Sequence, residues 1–104
     1  MVTYGQIKRG DTFTFFMTLT DEEGNPVIPE SIRCHLRDRQ YRMVAEATIT
    51  ETDTSGKYLF EWGSTEKWPI GSLLFDIEIT DVTGEIISTD TMELTVERDV
   101  TYGE

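Results

Sequence analysis

Cys34 and His35 are the one thiol and the one imidazole of this 104-residue chain, and their adjacency invites a nucleophile and its base. Their surroundings argue otherwise. From Ser31 to Arg39 the sequence alternates, with Ile32, Cys34 and Leu36 on one parity and Ser31, Arg33, His35, Arg37 and Arg39 on the other. Successive strand residues face opposite ways, so the pair cannot form a dyad within one strand, and Cys34 reads as core filler. Glu51, Asp53, Ser55 and Gly56 copy the spacing that opens a calcium loop, but the first ligand is Glu and Trp62 stands at the twelfth position in place of a bidentate acid. A hairpin turn is the better reading. Arg9-Gly10-Asp11 spells an integrin-binding tripeptide, and Gly-Asp is also ordinary turn chemistry. The sequence holds no glycine-rich phosphate cradle, no serine elbow and no paired histidines. Two carboxylates poised for catalysis need a cleft, which a small sandwich with short loops offers poorly. The expectation is a protein that is not an enzyme, with no cofactor, no metal and no small-molecule substrate.

The ladder Arg33, His35, Arg37 and Arg39 has the chemistry to hold phosphates. Net charge opposes it: 20 acidic against 9 basic residues leave −11, a field that repels nucleic acid and anionic lipid. Asp76 and Glu78 supply a second explanation, because the third and sixth strands of an immunoglobulin-type sheet are neighbours and cross-strand pairing would use both sets of charges. No nucleic acid is expected. No window approaches the roughly 20 apolar residues of a membrane span, so no membrane is expected either. A single cysteine excludes an intramolecular disulfide and a cysteine-based zinc site, and fits a reducing compartment.

The elements that position these residues follow from period-2 alternation. Gly71–Glu97 is the longest consistent stretch: Leu73, Phe75, Ile77 and Ile79 alternate with Leu74, Asp76, Glu78 and Thr80, Asp81-Val82-Thr83-Gly84 turns, and Met92, Leu94 and Val96 return. Further strands are predicted over Tyr4–Lys8, Thr12–Thr20, Ser31–Arg39, Met43–Thr50 and Lys57–Trp62. Thr-Asp-x-x-Gly ends three of them, at Thr20, Thr52 and Thr80, the aspartate bonding forward into the turn and the glycine taking positive φ. Ser64 to Pro69, with a serine cap and a proline stop, predicts one helical turn, and Trp68 plugs the end of the core. Together these predict an all-β, immunoglobulin-like sandwich of about seven antiparallel strands, with one short helical turn between strands five and six. The single domain spans 1–104 with a loose tail at 99–104. Phe13, Phe15, Leu36, Phe60, Trp62, Phe75, Ile77, Leu94 and Val96 are the predicted core.

Ile7-Lys8-Arg9-Gly10-Asp11-Thr12-Phe13, Leu36-Arg37-Asp38, Lys67-Trp68-Pro69-Ile70-Gly71, Leu74-Phe75-Asp76-Ile77 and Val96-Glu97-Arg98-Asp99-Val100-Thr101 together resemble small β-sandwich structural proteins of tailed bacteriophages and prophages. The resemblance runs from Ile7 to Thr101 and rests on structural motifs. It implies a virion component, a head, connector, baseplate or fibre-associated subunit, made in the host cytoplasm and working through contacts with other virion proteins or with itself. The residues offer one surface for such contacts. Phe16 and Leu59 lie on the outward parity of the second and fifth strands, which neighbour one another in this topology, with Thr14, Thr18, Lys57 and Glu61 around them. The alternative is a carbohydrate- or receptor-binding module using exposed Tyr41, Trp68 or Tyr102.

Overall fold

The computed structural model describes residues 2–98. It contains nine strands and, among those residues, no helix: β1 Val2–Lys8, β2 Thr14–Thr18, β3 Ser31–Arg37, β4 Met43–Glu46, β5 Thr48–Glu51, β6 Lys57–Glu61, β7 Gly71–Thr80, β8 Ile86–Ser88 and β9 Met92–Glu97. Six strands form one sheet in the order β1-β9-β7-β3-β4, with β8 beside β7, and β2-β6-β5 form the other. The all-β sandwich and the expected neighbours, β3 with β7 and β2 with β6, are present. The expected tail 99–104 lies outside the described residues.

Four details depart from the sequence reading. β1 runs parallel to β9, since the Arg9–Asp11 turn must deliver the chain to the opposite sheet at the end where β9 finishes. The Met43–Thr50 segment is two strands: the Ala47 N–H still donates to the Cys34 carbonyl at 3.0 Å, while Thr48 already pairs with Glu61 in the other sheet. The return strand of the β7 hairpin is likewise broken into β8 and β9, where the Thr89 hydroxyl replaces a backbone acceptor for the Ile77 N–H at 2.9 Å. Finally, Ser64–Pro69 makes no helical turn. One bond closes it, Trp68 N–H to the Thr65 carbonyl at 3.1 Å, and Pro69 has no N–H with which to propagate it.

The core forms where the two apolar parities meet. Phe15 stacks on Phe60 at 4.7 Å and on Phe75 of the facing sheet at 5.8 Å, while Phe13 stacks on Trp62 at 5.9 Å. Of the predicted core, eight residues are buried and Phe15 packs partly buried against them. Trp68, at 4 % exposure, meets Phe13 and Trp62 edge-on, so it plugs the core and is withdrawn from any binding surface. The buried Trp62 indole N–H has no partner, a cost of about 1–3 kcal/mol that its ring contacts with Phe13, Phe15, Trp68 and Phe75 offset. Thr65 is the one buried polar side chain among the described residues: its hydroxyl donates to the Asp11 carbonyl at 2.7 Å and accepts from the Gly10 N–H at 2.9 Å. The Arg9-Gly10-Asp11 tripeptide is thus a turn clamped to the Ser64–Pro69 loop at the same end of the sandwich.

Candidate functional site

Two outer faces carry the residues singled out in the sequence. On the three-stranded sheet, Phe16 pairs with Leu59, Thr14 with Glu61 and Thr18 with Lys57, so all six expected interface residues share one face. The third strand adds Thr48 beside Glu61 and Thr50 beside Leu59. Phe16 is 58 % exposed and Leu59 half-buried. The Lys57 ammonium sits over the Phe16 ring, 4.6 Å from its centroid, a cation–π contact with one face of the ring. Threonine hydroxyls and methyls frame the pair, giving a flat patch with one cation and one anion.

The outer face of the six-stranded sheet is its opposite. Arg33 pairs with Glu78 and His35 with Asp76, the register expected for cross-strand charge pairing. The side chains do not close those pairs. His35 Nε2 reaches Glu46 Oε2 on β4 at 3.0 Å, an Arg33 guanidinium nitrogen lies 3.4 Å from the same Nε2, and Arg37 donates to the Tyr41 carbonyl at 2.9 Å. Arg39 pairs with Glu93. Between the turn after β3 and the break between β8 and β9 lies a groove of about 740 Å³, with Arg33, His35, Arg37 and Tyr41 on one wall, Asp76 and Glu78 on its floor, and Asp90 and Thr91 opposite. Leu74, read from its parity as outward, is only 7 % exposed. Its sheet neighbours Arg37 and Glu93 shield it with their aliphatic stems.

Tyr41 marks the rim of this groove. The Asp38–Arg42 turn repeats the hydrogen bonds of the Asp21–Asn25 and Asp81–Glu85 turns: the aspartate N–H donates to the fifth residue, and the fourth donates back to the aspartate carbonyl. In the other two turns the fourth residue is Gly24 (φ 85°) or Gly84 (φ 92°); here it is Tyr41 at φ 62°, the left-handed region a tyrosine enters at a cost of about 1–3 kcal/mol. The sequence places a turn at 40–42, between the predicted strands Ser31–Arg39 and Met43–Thr50; the structure begins it earlier, at Asp38, whose carboxylate accepts from the Gln40 and Arg42 N–H groups. Each aspartate is held below its ordinary carboxylate range. For Asp21 the backbone N–H of Asn25 is the largest cause, for Asp38 that of Arg42, and for Asp81 the Thr83 hydroxyl. In the Thr52 turn the Thr52 hydroxyl oxygen takes the aspartate's role, accepting from the Thr54 N–H at 3.2 Å.

Cys34 and His35 face opposite sides of the six-stranded sheet, as their parity requires. Burial, with the Asp76 charge behind it, pushes the Cys34 thiol up to about 12, which makes it a poor nucleophile. The Glu51–Gly56 segment is the β5–β6 hairpin turn, closed by the Thr52 N–H to the Lys57 carbonyl at 2.8 Å, and Glu51 caps it by accepting from the Gly56 N–H at 3.5 Å. Of the residues offered for glycan binding, Tyr41 is 70 % exposed and Trp68 is buried, while Tyr102 lies outside the described residues.

No family model matches the sequence, and no curated protein matches it. Two solved structures are similar in fold. One is CopC from Methylosinus trichosporium OB3b, with a TM-score of 0.62 at 15 % identity over 92 % of this chain and 85 % of that one. The other is the Lin-41 filamin domain, with a TM-score of 0.65 at 17 % identity over 90 % and 84 %. At such identities the likeness concerns the backbone alone: the chain is an all-β, immunoglobulin-like sandwich.

Proposed function

We propose that this domain is a non-enzymatic structural module that acts through protein–protein contacts, and that the Phe16–Leu59 face is one of its contact surfaces. A single observation carries the reading. An aromatic ring more than half exposed lies directly across from a leucine at the centre of a flat, threonine-rich sheet. Burying what remains exposed of those two side chains at an interface would contribute about 1–2 kcal/mol each at most, an anchor for a patch of the roughly 800 Å² per partner that specific complexes use. The sequence resemblance to tailed-phage and prophage β-sandwich proteins supports a virion as the setting. The partners are then another copy or neighbouring virion proteins, met in the host cytoplasm during assembly. Sedimentation velocity of the wild type beside Phe16→Glu tests it. Concentration-dependent association that the substitution abolishes supports self-contact; monomers throughout remove the homo-oligomeric form.

A second reading draws on the groove. Tyr41 offers an exposed aromatic face beside hydrogen-bonding arginines and carboxylates, the combination that grips sugars. A glycan array that binds the wild type and not Tyr41→Ala would favour it; an array without binding would remove it.

A further inference from the structure

The sandwich guards its open edges unequally. β1 ends on Lys8 and carries a register shift between Thr3 and Gly5; β4 is shifted against β3 between Leu36 and Arg37. Charged ends and bulges of this kind keep an edge from templating another strand. β8 has no bulge; its shortness and the flanking carboxylates of Glu85 and Asp90 are its protection. It pairs with β7 through Ser88–Glu78, Ile87–Ile79 and Ile86–Thr80. β1 pairs with β9 from Met92 onward, and no described strand lies beyond β8. Ile86 and Ile87 are 61 % and 54 % exposed.

Backbone alternation identifies the free groups. The Asp81 N–H donates to the Glu85 carbonyl and the Thr89 N–H to the Ile77 carbonyl, so Glu85, Ile87 and Thr89 turn their backbone groups toward β7. Ile86 and Ser88 turn theirs to the open edge. Charge then selects what can lie there. Between Lys67 and Arg98 the chain has no basic residue, and Asp81, Glu85 and Asp90 bracket β8.

We propose that the open edge of β8 receives an extended strand of a partner protein, with an alternating apolar centre and basic residues at both ends. The strand completes the ladder on the N–H and C=O groups of Ile86 and Ser88. Its ends meet Glu85 and Asp90, about 17 Å apart along the edge at the rise of a strand. A second copy is disfavoured because its own β8 brings the same carboxylates. This site is separate from the Phe16–Leu59 face, and either can fail without the other.

The test uses the full chain and three synthetic ten-residue peptides: alternating valine and threonine with lysines at both ends, the same centre with glutamates at both ends, and the lysine-ended peptide with proline at its middle. Amide exchange is read by NMR. The lysine-ended peptide should slow exchange at Ile86 and Ser88 roughly tenfold or more and leave β2 unchanged, while the other two do nothing. Ile86→Pro removes an outward N–H that β7 does not use, so protection should vanish while the remaining spectrum persists. Ile86→Lys, which repels the peptide without touching the backbone, should weaken binding by the same readout. The proposal is overturned if the lysine-ended peptide leaves both amides unchanged, if the glutamate-ended peptide protects equally, or if the free protein protects them in a concentration-dependent way, which would mean self-pairing.

Discussion

The outer faces of the two sheets stand on one shared core and are built to opposite plans. The six-stranded face gives its central outward positions to Arg33, His35, Arg37, Asp76 and Glu78 around a buried Leu74, and its exposed apolar side chains, Met43 and Ile86, stand at its margins on β4 and β8. The three-stranded face holds threonines, a single Lys57 and Glu61, and leaves Phe16 open at its centre. Strand alternation demands apolar residues only on the inward parity, so the outward parity is where evolution is free to write something other than folding. A face laden with charge stays in water; a flat, nearly neutral face with an uncovered ring invites a partner.

The comparison presumes that both faces rest on one cooperative body, and the largest expected effect tests that. Phe75 lies between the sheets, against Phe13, Phe15 and Trp62. Phe75→Ala should cost about 3–5 kcal/mol in urea unfolding, a large share of the roughly 5–15 kcal/mol such domains possess. Tryptophan fluorescence and circular dichroism should shift together; separate transitions for the two sheets would break the comparison.

Arg37→Ala probes the charged face. It removes the hydrogen bond to the Tyr41 carbonyl and part of the cover over Leu74, and should cost no more than about 1 kcal/mol, as exposed polar contacts do. A loss of several kcal/mol would show that this face carries fold stability after all. Phe16→Glu on the other face should leave the unfolding midpoint nearly unchanged, since surface substitutions stay within about 0.5 kcal/mol, and should alter association alone.

The smallest effect concerns pH. Asp81 titrates below its ordinary value in the folded chain because the Thr83 hydroxyl and the turn amides hold its charge. A depressed folded value means the stabilisation is complete above the unfolded value of about 4 and fades as pH falls through the folded one. Asp81→Asn should therefore be less stable than the wild type at pH 7, with the gap closing below about pH 4, as measured by urea unfolding at both pH values. A gap that widens in acid would reverse the sign and discard the cap.

Most strand segments, their parity and most of the core were legible in the residues themselves, because one buried face imposes a period of two, as in β2, β3, β6 and β9. So was the Phe16–Leu59 pairing, which follows once the strand order is known. Tertiary structure decided the rest. Ala45 and Ala47 alternate like any strand, yet the chain crosses between sheets at Ala47, since the choice of hydrogen-bonding partner leaves no mark on side-chain parity. Leu74, outward by parity, is nonetheless buried, whereas Trp68 plugs the end of the core as its place after Ser64 predicted. That no described strand lies beyond β8 goes with the pairing of β1 along β9 from Met92 onward, a matter of register between segments some ninety residues apart that local sequence has no means to encode.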